Sequence, residues 1–94
     1  MAKFEIVRTT QFKKDLKLAI KRGLDIDDLL QVVGNLSADQ PLPPKNRNHL
    51  LSGEYKGCWE CHINPDWLLI YSKDKEIRII TLKRTGTHSD LFGK

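Results

Sequence analysis

Phe4 and Ile6 alternate with Lys3, Glu5 and Val7, and this period of two predicts a short strand over residues 3–8. Thr9 or Thr10 then offers a helix N-cap, because a threonine hydroxyl accepts from the free amides of a first turn. From there the spacing becomes helical. Phe12, Leu16, Ala19 and Ile20 form an apolar stripe, and Gly23 follows as a left-handed stop. Asp25 caps a second helix, with Asp27 and Asp28 in the first turn, where negative charge suits the helix dipole. Its stripe is Ile26, Leu29, Leu30, Val33 and Leu36, and Gly34 weakens it near the end. The link between the two helices is so short that they are expected to pack as an antiparallel hairpin.

Residues 37–48 contain Pro41, Pro43, Pro44, Asn46 and Asn48, which predicts a long loop with neither helix nor central strand. A loop of that length in a small domain is more often functional than idle. From Tyr55 the period returns to two. One face carries Lys56, Cys58, Glu60 and His62; the other carries Tyr55, Gly57, Trp59, Cys61 and Ile63 and is expected to face the core. Asn64, Pro65 and Asp66 make a turn, residues 67–73 a second strand, Asp74 another turn, and residues 76–83 a third strand. The tail, 85–94, has room for one helical turn. The pattern therefore predicts an α+β fold in a single domain over 1–94: an N-terminal strand, a helical hairpin and a three-stranded antiparallel meander. Both helices cover one sheet face, leaving the face with Glu60 and His62 open.

At 94 residues the chain supports one core, and 39% hydrophobic with 30% charged side chains excludes disorder and fibrous repeats. No apolar run approaches the roughly 18 residues that span a bilayer, and the opening residues lack a signal peptide's apolar core. The expected address is cytoplasmic, with no membrane partner. A net charge of +4 and a pI of about 9.2 favour an anionic partner. Residues 1–40 hold seven basic and six acidic side chains and residues 41–94 nine and six, so the second half is expected to carry more of that contact. Lys13, Lys17 and Lys21, joined by Lys14 and Arg22, put a basic ridge on the first helix.

Cys58, Cys61 and His62 have the spacing of a c-type haem attachment site. Strand alternation sends the two thiols to opposite faces, which rules against haem attachment and weakens a zinc site from Cys58, Cys61 and His62, whose tetrahedral ligands must converge on one point. Free thiols are expected, Cys61 in the core and Cys58 partly exposed, with no cofactor or metal. Three histidines remain, His49, His62 and His88, each on a segment able to reach the open face. Together with Asp66 and Arg84 they are the parts for metal-free RNA cleavage. That reaction needs a base for the 2′-hydroxyl, an acid for the departing 5′-oxygen and a fixed cation for the charge developing on phosphorus. Trp67, Tyr71 and Phe92 offer rings to unpaired bases, although Trp67 and Tyr71 share one strand face and suit core packing as well.

The string from His49-Leu50 through Ser52-Gly53-Glu54-Tyr55-Lys56-Gly57, then His62-Ile63-Asn64-Pro65-Asp66-Trp67-Leu68-Leu69-Ile70-Tyr71, Arg84-Thr85-Gly86-Thr87-His88 and Leu91-Phe92-Gly93, closely resembles the YafQ-type toxins of the RelE superfamily. The resemblance spans almost the whole chain. It implies a RelE-like microbial RNase fold and a ribosome-dependent mRNA endonuclease of a type II toxin–antitoxin pair. His49, His62, Asp66 and His88 match its catalytic positions, Arg84 its phosphate-stabilising arginine, and Trp67 and Phe92 its important aromatics. Glu60 stands where an aspartate is common. The roles that follow are His88 as general acid, His62 or Asp66 as base, Arg84 as charge stabiliser and His49 as substrate orienter or acid–base partner. Lys45, Arg47, Lys56 and the helix ridge would meet messenger and ribosomal RNA. A cognate antitoxin is implied, with DNA reached only through it. A non-catalytic RNA- or antitoxin-binding module is the alternative.

Overall fold

The computed structural model describes residues 3–93; Met1, Ala2 and Lys94, the last residue of the tail, lie outside them. Thr9 accepts the Phe12 amide at 3.0 Å and caps the first helix, and Asp25 accepts the Asp27 amide at 3.0 Å and caps the second. The elements are β1 (Glu5–Arg8), α1 (Thr10–Lys21), α2 (Ile26–Ser37), β2 (His49–Leu50), β3 (Trp59–Asn64), β4 (Trp67–Asp74), β5 (Ile79–Gly86) and α3 (His88–Phe92). Two 3-10 turns, Pro44–Asn46 and Gly53–Tyr55, interrupt the stretches expected to be loop and strand.

The expected α+β fold is present, and the meander is the centre of a larger sheet with the order β1-β5-β4-β3-β2. β1 pairs with β5 in parallel, and the other neighbours are antiparallel. β5 starts at Ile79 and runs on to Gly86, later than the expected 76–83. The reason is at its outer edge, where α1 takes over once β1 has ended. Thr9 donates its amide to Leu82 and its hydroxyl to Lys83, and Asp15 accepts the Thr85 amide at 3.1 Å, so the edge stays paired. Arg84, just beyond the expected end of the third strand, thereby becomes a strand residue.

Phe12 and Ala19 of α1 and Leu29, Val32 and Leu36 of α2 pack on Cys61, Ile63, Trp67, Leu69, Tyr71, Ile80 and Leu82. Each fully buried large apolar side chain among them contributes roughly 1.5–3 kcal/mol. Two expected stripe residues do not join them. Ile20 and Leu30 are 55% and 58% exposed, because the buried rows run 12-16-19 and 29-32-36 and each falls about 100° beyond its row. The opposite sheet face is only half open. Leu91 of α3, Leu51 and Tyr55 cover Cys58, Leu68 and Ile70, so Cys58 is buried rather than partly exposed. Both thiols are free. Among the described residues no helix is long and apolar enough to cross a membrane.

Candidate active site

Sheet register assembles the site. His49 of β2 lies opposite Glu60 of β3, Glu60 opposite Ile70 of β4, and Ile70 opposite Arg84 of β5. These four form one row on the face away from the main core. The next row runs His62, Leu68, Gly86. With strands roughly 4.8 Å apart, Arg84 stands two strands, about 10 Å, from Glu60. Gly86 ends its row and leads through Thr87 into α3, which brings the His88 ring to 5.6 Å from that of His62, centre to centre.

A chain of side chains follows from this placement. The Nε2 atoms of His49 and His62 each lie 3.5 Å from Oε1 of Glu60, whose side chain is almost fully buried. His49 uses its other ring nitrogen on the Arg47 carbonyl, 2.6 Å away. His88 places Nδ1 2.8 Å and its backbone amide 3.2 Å from one oxygen of Asp66, in the tight turn between β3 and β4. These two hydrogen bonds from His88 hold the Asp66 carboxyl below the usual carboxylate range. A carboxylate only accepts, so His88 carries a proton on Nδ1, and Nε2 is the atom left to give or take one.

The long loop is fastened beside this chain. Asn46, buried, donates its side-chain amide to the His62 carbonyl at 2.7 Å, and the Tyr71 hydroxyl donates to the Asn48 side chain at 2.6 Å. Lys45 and Arg47 are thereby held at a cleft of about 700 Å³ that they line with His62, Ile63, Asn64, Pro65 and His88. Arg84 sits at the far end of the row. Its Nε and Nη2 donate to Asp15 at 2.8 and 3.2 Å, and Asp15, with a lesser contribution from Tyr55, holds its pKa above the ordinary arginine value. Tyr55 meets Phe92 edge to face at 5.9 Å, and Phe92 is 39% exposed.

The structure thus brings together His49, His62, Asp66 and His88, with Lys45 and Arg47 at the cleft, whereas Arg84 stands two strands from Glu60, turned to Asp15 at the sheet edge, and Phe92 packs on Tyr55. Lys56 is exposed but does not line the cleft. Trp67 is corrected: at 1% exposed on the helix-covered face it packs in the core, and a buried ring cannot stack on a base. Its β4 position sets this, since Trp67, Leu69 and Tyr71 share the inward side. Glu60, Asn46 and Asp15 were missed as site residues. Glu60 carried a signal, its place between two histidines in a period-two strand; the other two are recognised only from contacts distant in sequence. Among the described residues no group of three or more His, Cys, Asp or Glu side chains is placed to hold a metal ion.

Chemically, the cleft offers two imidazoles, His62 and His88, beside two cationic side chains, Lys45 and Arg47, with the buried carboxylate of Glu60 behind His62. A model of the family described as the bacterial toxin of type II toxin–antitoxin systems, YafQ, matches residues 4–93. The mRNA interferase toxin YafQ of Escherichia coli K12 is 41% identical over 95 residues, covering 99% of this chain and all of that protein. The crystal structure of the E. coli DinJ-YafQ toxin–antitoxin complex superposes with a TM-score of 0.88 at 38% identity, covering 97% of this chain and 99% of that one. A metal-bound toxin from Helicobacter pylori superposes with a TM-score of 0.89 at 45% identity, covering 95% and 99%. The chain belongs to the YafQ family of toxins of type II toxin–antitoxin systems.

Proposed function

We propose that this chain is an mRNA interferase that cleaves mRNA on the ribosome, with the RNA 2′-hydroxyl as nucleophile and proton transfers by its own side chains. The observation that carries the reading is the continuous chain His49, Glu60, His62, His88, Asp66, whose central members His62 and His88 line a cleft shared with Lys45 and Arg47. His62, backed by the buried Glu60, takes the proton from the 2′-hydroxyl. The 2′-oxygen attacks the adjacent phosphorus, and the bond to the 5′-oxygen breaks. His88 gives its Nε2 proton to that oxygen, leaving a 2′,3′-cyclic phosphate and a 5′-hydroxyl. Asp66, already accepting two hydrogen bonds from His88, suits the role of orienting partner better than that of base. Arg84 supplies the cation for the phosphorane charge, and His49 steadies Glu60 and the strand.

Ribosome dependence is supported by what the domain lacks on its own. Its cleft is open, and among the described residues Phe92 is the one exposed Phe, Tyr or Trp ring, so most of the grip on a single strand is expected from the ribosome. A cognate antitoxin follows from the family and from the basic surface, which suits an acidic or amphipathic segment. A cytoplasmic address goes with this reading, since translating ribosomes are found there. Incubation with translating ribosomes tests the reading: wild type cleaves mRNA and His88→Ala does not, with the fold retained. Full cleavage by His88→Ala would overturn the acid assignment, and no cleavage by wild type would favour a non-catalytic binding module.

A further inference from the structure

Arg84 does not hold its place unaided. Its side chain rises from the site face of β5 but reaches sideways to the sheet edge, where Asp15 of α1 receives Nε and Nη2 as a two-pronged pair. The same carboxylate accepts the Thr85 backbone amide at 3.1 Å and the Gln11 side-chain amide at 3.0 Å, four donors on one group. Asp15 is nearly enclosed, its side chain 9% exposed, while that of Arg84 remains 26% exposed. So the carboxylate is the fixed member and the guanidinium is the one still open to a ligand. Tyr55 meets Phe92 edge to face at 5.9 Å. Two of the nitrogens are committed to Asp15, which leaves Nη1 and the remaining edge of the fork for an anionic oxygen.

We propose that Asp15 is a positioning residue for phosphoryl chemistry: through its two-pronged hold on Arg84 it sets where the guanidinium meets the scissile phosphate. This rests on the nuclease reading above and adds to it a residue from the opposite layer of the fold. A long flexible cation free at the rim would spend its binding on being ordered. One tethered by Nε and Nη2 presents its remaining N–H groups in a single direction, which is where preorganisation accelerates a reaction. The bulge in the β4–β5 pairing between Ile70 and Tyr71 supports the assignment, because it leaves Arg84 paired across from Ile70 while Leu82 pairs with Tyr71. The extra residue, Lys83, lies between them, and its carbonyl is taken by Thr9.

The test uses the full chain. Asp15→Asn keeps an acceptor for the Thr85 amide and removes the charge that holds Arg84. With wild-type protein cleaving mRNA on ribosomes, Asp15→Asn should lower the single-turnover cleavage rate by about 100-fold, the cost of a misplacement near 1 Å, with little change in ribosome affinity. In an Arg84→Ala background the same substitution should change nothing further. Nitrogen NMR of the Arg84 Nε–H gives a readout independent of any cleavage: a slowly exchanging signal in wild type, lost in Asp15→Asn. Asp15→Glu, whose longer arm keeps the charge, should restore part of both. An unchanged cleavage rate, an equal loss in the Arg84→Ala background, or an Nε–H signal unaffected by Asp15→Asn would each overturn the assignment. Failure of wild type to cleave at all would instead overturn the nuclease reading, and the NMR result would still decide whether Asp15 fixes Arg84.

Discussion

His88 and Asp66, 22 residues apart, share one carboxylate oxygen through two hydrogen bonds, from the ring Nδ1 at 2.8 Å and from the backbone amide at 3.2 Å. The first fixes the tautomer and the second fixes the start of α3, so one exposed aspartate sets both the proton and the place of the ring. Asp66→Ala is therefore expected to lower cleavage by about 100-fold or more, the usual reach of a positioned acid. Its side chain is 69% exposed, so denaturant unfolding should move by less than about 0.5 kcal/mol. A large loss of stability with unchanged specific activity would refute this division.

Trp67 carries the opposite expectation. Its buried ring packs under both helices, so Trp67→Ala should cost roughly 3–5 kcal/mol and remove activity by unfolding the domain. Trp67→Phe, which keeps most of the volume, should stay folded and active. Circular dichroism and cleavage measured side by side distinguish this from a base-stacking role, in which Trp67→Phe would fold but bind RNA less well.

Acid unfolding reports the link between Arg22, which follows α1, and Asp90 of α3. Asp90 receives Arg22 at 2.6 and 3.2 Å and the Thr87 amide at 2.9 Å, and these hold its pKa at about 2, below the roughly 3.9 of an unfolded aspartate. A depressed pKa stabilises the fold above the unfolded value and loses that stabilisation as pH falls toward 2. Denaturant unfolding between pH 5 and 2 should fall less steeply in Asp90→Asn than in wild type. Gly86→Ala should cost about 1–3 kcal/mol, because a Cβ there would stand 2.9 Å from that of Asp90. Equal acid slopes for wild type and Asp90→Asn would show that the pair contributes nothing.

Much of this was legible along the chain, for definite physical reasons. Thr9 and Asp25 announce their helices because capping is local, and the alternation around Glu60 and Ile63 fixes which strand face is which. The pairing of Glu5 with Ile79 was not legible, since β1 and β5 are brought together only by the helices between them. Leu30 looked like core because hydrophobicity alone does not choose between adjacent helix stripes; Val32 is buried instead. His49, His62, Asp66, Arg84 and His88 could be named from residue types and motif. Their supports could not, because Asp15 meets Arg84 across 69 residues and Asn46 meets His62 through a backbone carbonyl.

Cys61 is fully buried, and burial together with the adjacent Glu60 charge pushes its thiol up to about 12. The thiolate is the reactive form, so native protein at pH 8 should resist iodoacetamide at this position. Alkylation should become rapid only in denaturant, as read by mass spectrometry. Fast native labelling of Cys61 would mean that the sheet face opens far more readily than its packing indicates.

Lys45 and Arg47 line the cleft without entering the proton chain, so they should bind phosphates rather than act on them. Each change to alanine should weaken RNA association and reduce the slope of log affinity against log salt by about 1. Cleavage of bound RNA should be little altered. A salt slope identical to wild type would remove both residues from the interface.

The chemistry of the cut ends is the most direct measurement. If the 2′-hydroxyl attacks and His88 protonates the leaving oxygen, the upstream fragment of mRNA cleaved on ribosomes must end in a 2′,3′-cyclic phosphate or its opened 3′-phosphate. The downstream fragment must begin with a 5′-hydroxyl, and a 2′-deoxynucleotide at the cleavage position must block the reaction. A downstream fragment beginning with a 5′-phosphate, or cleavage that persists past a 2′-deoxynucleotide, would contradict the mechanism.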